Sequence, residues 1–209
     1  MKDNTSDVEQ RVKRYWYVDG FGELVGGGGM CLILALYFAA GEYFGDQSFI
    51  GGLLSSTMAL VLIGGFFLVR RIINTAKEHV TYPRTGYVEY PDAKRKIPSA
   101  IFAAIGGALL AAIFVSIVRR FDTVDAMVAI SGIVMSLILS GKQIWSTRVS
   151  RFYLLSAAAL IYGLVLAISG LPRGYNLGLF YGLMSISFAL SGGLTLKRYL
   201  DENPLQAEL

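Results

Sequence analysis

The feature that most constrains this chain is a set of six stretches, each near twenty residues and almost free of charge: 23–44, 49–69, 97–118, 124–144, 152–169 and 175–196. A hydrocarbon slab about 30 Å thick takes about twenty apolar residues to cross as a helix, and an isolated segment can satisfy its backbone there only as a helix. Charged residues make up 16% of the 209 and hydrophobic residues 54%, whereas charged residues are about a quarter of a soluble domain. The expected fold class is an all-α membrane protein: a single six-transmembrane-helix bundle over residues 1–209, with no separate soluble domain. The fourth stretch carries Lys142 at one end, from where its ammonium can snorkel to the headgroups. The polar first twenty residues lack the apolar core of a cleaved leader, so the first span is expected to act as an uncleaved anchor.

Orientation follows from the basic residues, because cytoplasmic loops retain Lys and Arg. With the N-terminus inside, the inner segments hold Lys2, Arg11, Lys13 and Arg14, seven bases in the loop 70–96, then Lys142, Arg148 and Arg151, and finally Lys197 and Arg198. The outer loops hold only Arg119, Arg120 and Arg173. Sixteen of the nineteen bases thus fall on one side. That asymmetry predicts both termini in the cytoplasm and a multi-pass protein of the inner membrane. It also accounts for the basic pI without any nucleic-acid partner.

Residues 1–21 form the expected cytoplasmic interfacial segment. Within it Val8, Val12, Tyr15 and Trp16 recur at helical spacing, with Glu9, Gln10, Lys13 and Arg14 on other faces. This pattern predicts a short amphipathic helix on the inner membrane surface, with Tyr15, Trp16 and Tyr17 as interfacial anchors; the alternative is a disordered basic tail. The loop 70–96 changes character along its length. Arg71 to His79 can continue the second helix, after which Pro83 is expected to stop it, Gly86 to permit a turn, and Tyr87 to Tyr90 to alternate as a short strand.

Chemistry-bearing residues are few. One cysteine, Cys31, and one histidine, His79, exclude an intrachain disulfide and argue against a metal centre, since zinc sites draw several such ligands from one chain. No ionisable residue falls near the middle of a span, where a proton-coupled pump would need one. Ser131-Gly132, Ser140-Gly141, Ser169-Gly170 and Ser191-Gly192 suggest an intramembrane serine protease only until a histidine at membrane depth is sought. No enzymatic activity and no cofactor are expected.

The remaining candidates lie at the inner interface: Arg84, with Tyr82, Pro83, Gly86 and Tyr87 around it, and Trp16, Asp19 and Glu23 at the start of the first span. Arg84 can bind an anionic headgroup or phosphate, the segment can dock a partner, or the guanidinium can pair with Asp19 or Glu23 and hold the loop against the bundle. Membrane lipids, anionic ones in particular, a second copy of the chain or another subunit of a membrane complex are the partners this implies.

Small residues form ladders suited to close helix approach: Gly22, Gly26 and Gly29; Ser99, Ala103, Gly107 and Ala111; Gly132, Ser136 and Ser140; Gly178 and Gly182. The four consecutive glycines 26–29 admit two readings, a strip against which another helix packs, or an unwound segment that offers its carbonyls to a substrate as in transporters.

Tyr15-Trp16-Tyr17-Val18-Asp19-Gly20 with Glu23, the run from Lys77 through Thr81-Tyr82-Pro83-Arg84-Thr85-Gly86-Tyr87-Val88, and the tail from Gly193 to Pro204 resemble a family of uncharacterised prokaryotic polytopic membrane proteins. The resemblance implies a prokaryotic membrane location and no particular activity. Two functions are therefore expected to compete: a non-enzymatic scaffold, accessory or lipid- or partner-binding protein acting through its cytoplasmic face, and a small oligomeric transporter or channel.

Overall fold

The computed structural model describes residues 19–45, 48–85, 125–142 and 150–204, all helices and short connections, with no strand among them. Helix α1 opens as a π-helix, Gly22–Gly29, and continues as α-helix over Met30–Phe44. Helix α2 covers Phe49–Ala76 and runs on through a π turn, Lys77–Thr81, and a last α turn, Tyr82–Thr85. Then follow α3, Asp125–Lys142, α4, Arg151–Ala167, and α5, Arg173–Glu202. Three of these helices are long and apolar enough to cross a membrane, over Gly22–Phe44, Thr57–Arg84 and Gly174–Glu202. The apolar stretches of α3 and α4, Ala126–Ser140 and Arg151–Ala167, are shorter. The stretch 97–118, the expected third span, lies outside the described residues, as do the amphipathic segment 7–18 and the strand expected at Tyr87–Tyr90.

Among the described residues helix α5 packs against α1, α3 and α4, and a seam of small residues lets α1 lie against it along its full length. Reading down α5, a Cβ on Gly178 would come 3.3 Å from the Ala35 carbonyl, and Gly182 faces the Ala35 methyl. Further along, the Ser185 hydroxyl donates to the Gly28 carbonyl at 2.8 Å. At the end of the seam a Cβ on Gly192 would stand 2.8 Å from the Gly20 carbonyl and 2.9 Å from Leu24 Cα. Without an apolar drive for association inside a membrane, such backbone proximity is what gives two helices their dispersion contacts. The chain enters this seam at Gly20, whose φ of 73° is accessible to glycine at no steric penalty.

The four glycines of α1 are helical and not unwound, but the helix has the wider π form. A π segment inside an α-helix is rare, and here its glycines leave no side chains between its backbone and the neighbouring helices. Each side of the strip meets a neighbour: Gly26 and Gly29 face Ile73 and Val69 of α2, and Gly27 lies under the Phe188 ring of α5. The packing-strip reading therefore describes all four positions.

Helices α3 and α4 make a second close pair. The Gly132 and Gly163 backbones meet so tightly that a Cβ on either would stand 2.7 Å from the other's Cα. One turn on, Ser156 lies between Ser136 and Ser140, with oxygen separations of 2.8 and 2.7 Å, and its hydroxyl is 3.0 Å from the Ser136 carbonyl. A carbonyl only accepts, so Ser156 donates there and its two lone pairs receive the Ser136 and Ser140 protons. The result is a fully satisfied polar clamp between two apolar helices, each bond contributing about 0.6 kcal/mol by the average for membrane interiors. The core between these pairs is apolar, centred on Val128, Ala159, Phe180, Met184 and Phe188.

Outward faces are apolar. Helix α2 exposes Leu60, Ile63, Phe66, Phe67 and Leu68, and α4 exposes Leu154, Ile161, Leu164 and Val165, surfaces of a kind that water-soluble monomers rarely present.

Pro83 does not end α2, contrary to the expectation from sequence. Proline removes one N–H and its ring crowds the carbonyl four residues back. The π turn just before it, marked by the Tyr82 N–H reaching five residues back to the Lys77 carbonyl, shifts the carbonyl ladder by one residue where the ring must fit. The helix thereby carries Lys77, Thr81 and Arg84 on one face past the end of the apolar stretch.

Candidate functional site

At the end of the bundle where α1 and α4 begin and α2 and α5 finish, two carboxylates are buried almost completely. Asp19 is 1% exposed and Glu23 2%; a charge held so far from water needs an opposite charge and hydrogen bonds to its remaining lone pairs. Both have them. Asp19 Oδ2 lies 3.0 Å from the Lys77 ammonium and accepts from the Thr81 hydroxyl at 3.3 Å. Its Oδ1 accepts from the Phe21 N–H at 3.1 Å. The last of these is a local turn bond of the kind aspartate makes two residues on, and it holds the carboxylate at the mouth of α1.

Glu23 sits one turn deeper, inside the π-helical segment. Its Oε1 receives the Arg151 Nε at 2.6 Å and its Oε2 the Ser191 hydroxyl at 2.6 Å. Arg151 also donates from Nη1 to Thr195 Oγ1 at 2.8 Å, and that hydroxyl in turn donates to the Ser191 carbonyl. Short charge-assisted bonds of this kind are about twice as strong as neutral ones. The two ion pairs therefore tie α1 to α2 through Asp19 and Lys77, and α1 to α4 and α5 through Glu23, Arg151 and Ser191.

Arg84 is not the partner of either acid, which corrects the pairing expected from sequence. Its Nη1 donates to the Asn203 carbonyl at 3.0 Å. Asn203 is the C-cap of α5, so the guanidinium rests where the helix dipole and the unpaired carbonyls concentrate negative charge. The reason is register: Lys77 and Arg84 lie two turns apart on the same face of α2. The deeper cation reaches the buried carboxylate, while the shallower one meets the end of α5. Tyr82 is half-buried and Pro83 exposed on this turn. Trp16, Gly86 and Tyr87 lie outside the described residues.

Reading the sequence picked out the two acids and missed Lys77, Thr81, Arg151, Ser191 and Thr195. A signal was present. Lys77, Thr81 and Arg84 follow i, i+4, i+7, and Ser191 and Thr195 follow i, i+4, each the spacing of one helical face. A polar face on a helix that is otherwise apolar points inward.

Chemically the cluster is a closed arrangement. Both oxygens of each carboxylate are taken by protein donors, and among the described residues no three of His, Cys, Asp and Glu come together as a metal site. At the opposite end Glu42, half-buried, accepts the Gly174 N–H on Oε2 at 2.8 Å at the start of α5. Comparison with protein-family models, with curated proteins and with solved structures returns no match for this chain.

Proposed function

We propose that this chain is a six-span protein of the cytoplasmic membrane with both termini in the cytoplasm, and that it works as a non-enzymatic scaffold, accessory or lipid- or partner-binding protein through its cytoplasmic face. The charge asymmetry of the loops supports the orientation. So does the grouping of the first residues of α1 and α4 with the last of α2 and α5 at one end, as alternating hairpins require. The observation that carries the functional reading is the saturation of Asp19 and Glu23 by Lys77, Thr81, Arg151 and Ser191. A polar end whose buried charges are already matched to one another has little left to offer a solute passing through the bundle, whereas it gives a rigid platform for a surface ligand.

A transporter or channel working as an oligomer is the second reading, and the π-helical Gly22–Gly29 favours it because π segments recur at functional sites. Against it, the strip is packed on two sides, and the Gly28 carbonyl is bonded to Ser185.

Two measurements separate these readings. Reporter fusions at Gln47, Thr123 and Arg173 are expected to read outside, and those at Lys94 and after Leu209 inside; one reversed site refutes the topology. Protein extracted with its native lipid and analysed by native mass spectrometry is expected to retain lipid or a partner chain, and reconstituted vesicles to show no protein-dependent flux of ions. Such a flux would replace the binding reading by the transport one.

A further inference from the structure

The cations of α2 sort into two kinds. Lys77 and Arg84 turn inward to Asp19 and Asn203. Like the neighbouring, exposed Arg70, Arg71 does not: no ion pair or hydrogen bond among the described residues uses it. It borders a groove of roughly 650 Å³ that runs along one stripe of α2, lined by Leu68, Arg71, Ile72, Thr75, Ala76 and His79. The six fall at i, i+3, i+4, i+7, i+8 and i+11, which keeps them on one face over about 16 Å of helix.

The stripe is apolar on either side of Arg71 and more polar beyond Ile72. Its N-terminal end carries Leu68 and Ile72, about half exposed, and continues the apolar surface of Phe66 and Phe67. Its C-terminal end carries Thr75 and His79. The His79 Nδ1 is 2.8 Å from the Thr75 carbonyl, and since a carbonyl only accepts, Nδ1 holds a proton and Nε2 is left for another partner. Among the described residues no carboxylate lines the groove. Nε2 donates to an anion only when the ring is protonated, so the fixed positive charge of the site is Arg71.

We propose that this groove binds an anionic diacyl phospholipid, with the phosphodiester on Arg71, the headgroup towards His79 and an acyl chain along Leu68 and Ile72. Charge and shape both point to this occupant. A cation next to an apolar strip, where a helix leaves its hydrocarbon-length stretch, meets the phosphate and the first methylenes of a lipid together, and a single basic charge at such a surface draws an anionic headgroup. Free phosphate would leave the apolar half of the groove unused, and a zwitterionic lipid brings a second cation beside Arg71. The inference rests on the binding reading above, and it moves the anion site from Arg84, which is engaged with α5, to Arg71.

The test uses the full chain in detergent, titrated with phosphatidylglycerol, phosphatidylcholine or inorganic phosphate while thermal stability is followed. Phosphatidylglycerol is expected to raise the unfolding temperature saturably and the other two not. Arg71→Gln is expected to lower the apparent affinity about fivefold, the factor one basic residue contributes at an anionic surface, with Arg71→Lys close to wild type and Arg84→Gln unchanged. Because Arg71 makes no hydrogen bond or ion pair among the described residues, Arg71→Gln is expected to unfold at the wild-type temperature without lipid; should it misfold, Arg71→Lys matching the wild-type affinity supports the site and a tenfold loss in that variant opposes it. Unchanged affinity in a folded Arg71→Gln, loss in Arg84→Gln, or an equal shift with inorganic phosphate overturns the groove while leaving the binding reading intact. If the wild type shows no preference for phosphatidylglycerol and also leaves its membrane without lipid or partner, both fall.

Discussion

Replacing Arg151 by methionine tests whether the Glu23 ion pair holds the bundle end together. The substitution keeps a long apolar stem but removes the guanidinium 2.6 Å from Glu23 Oε1 and its bond to Thr195. Glu23, 2% exposed, keeps only the Ser191 hydroxyl. Breaking a buried pair from one side costs about 3–5 kcal/mol because the remaining charge is uncompensated. The Arg151 side chain is itself 25% exposed, so water reaches the vacated position and the lower limit, about 3 kcal/mol, applies. Thr195 adds little, since its hydroxyl also bonds the Ser191 carbonyl. At about 2–4 °C per kcal/mol for a chain of this size, the unfolding temperature in a fixed detergent and at a fixed scan rate is expected to fall by about 6–12 °C. Glu23→Gln combined with Arg151→Met removes the stranded charge and keeps a Ser191 bond, so the double variant is expected to recover to within about 4 °C of wild type, about 2 kcal/mol above the single variant. A single variant within about 2 °C of wild type, or a double variant no more stable than the single, refutes the reasoning.

Gly27→Ala places a methyl 2.6–2.9 Å from the Phe188 ring carbons and is expected to lower stability by about 1–3 kcal/mol, as overpacking does. Gly64→Ala, with open space around its Cβ, is expected to be neutral or to stabilise by up to about 1 kcal/mol; thermal unfolding of the two side by side checks the contrast. Arg84→Ala is expected to cost about 1 kcal/mol for its half-buried bond to the Asn203 carbonyl. Arg84→Lys is expected to restore most of that, because a single carbonyl needs no two-pronged donor; a lysine variant as weak as alanine in the same unfolding assay would show that the contact depends on guanidinium geometry.

Apolar run length made the helices readable from the sequence, because it reports a property of each segment alone. Glu23 to Phe44 and Tyr175 to Leu196 each start one residue inside Gly22–Phe44 and Gly174–Glu202, the second ending six residues early. The ends were harder. The helix continues sixteen residues beyond Val69, since the change to polar residues at Arg70 marks where hydrocarbon is expected to end and not where backbone hydrogen bonding ends. Pro83 misled for a similar reason: its effect on a helix depends on the pitch of the preceding turn, and no residue type announces a π turn.

The pairing of charges was beyond the sequence for a different reason. Asp19 and Glu23 could be assigned to the same membrane face as Arg84, Lys77 and Arg151, but loop position sets only the side and not the depth. Depth is set by rotation and rise: 151 opens α4, 77 ends the regular part of α2, and 84 lies seven residues, about 10 Å, farther along. The deepest cations neutralise the deepest acids, because desolvation makes an unmatched buried carboxylate costlier than an unmatched carbonyl. Arg84, displaced outward by those two turns, takes the carbonyl at the end of α5 instead. The same rotation leaves Arg71 on a different face from Lys77, which is why one helix supplies both a cation that closes the bundle and a cation facing outward into the groove.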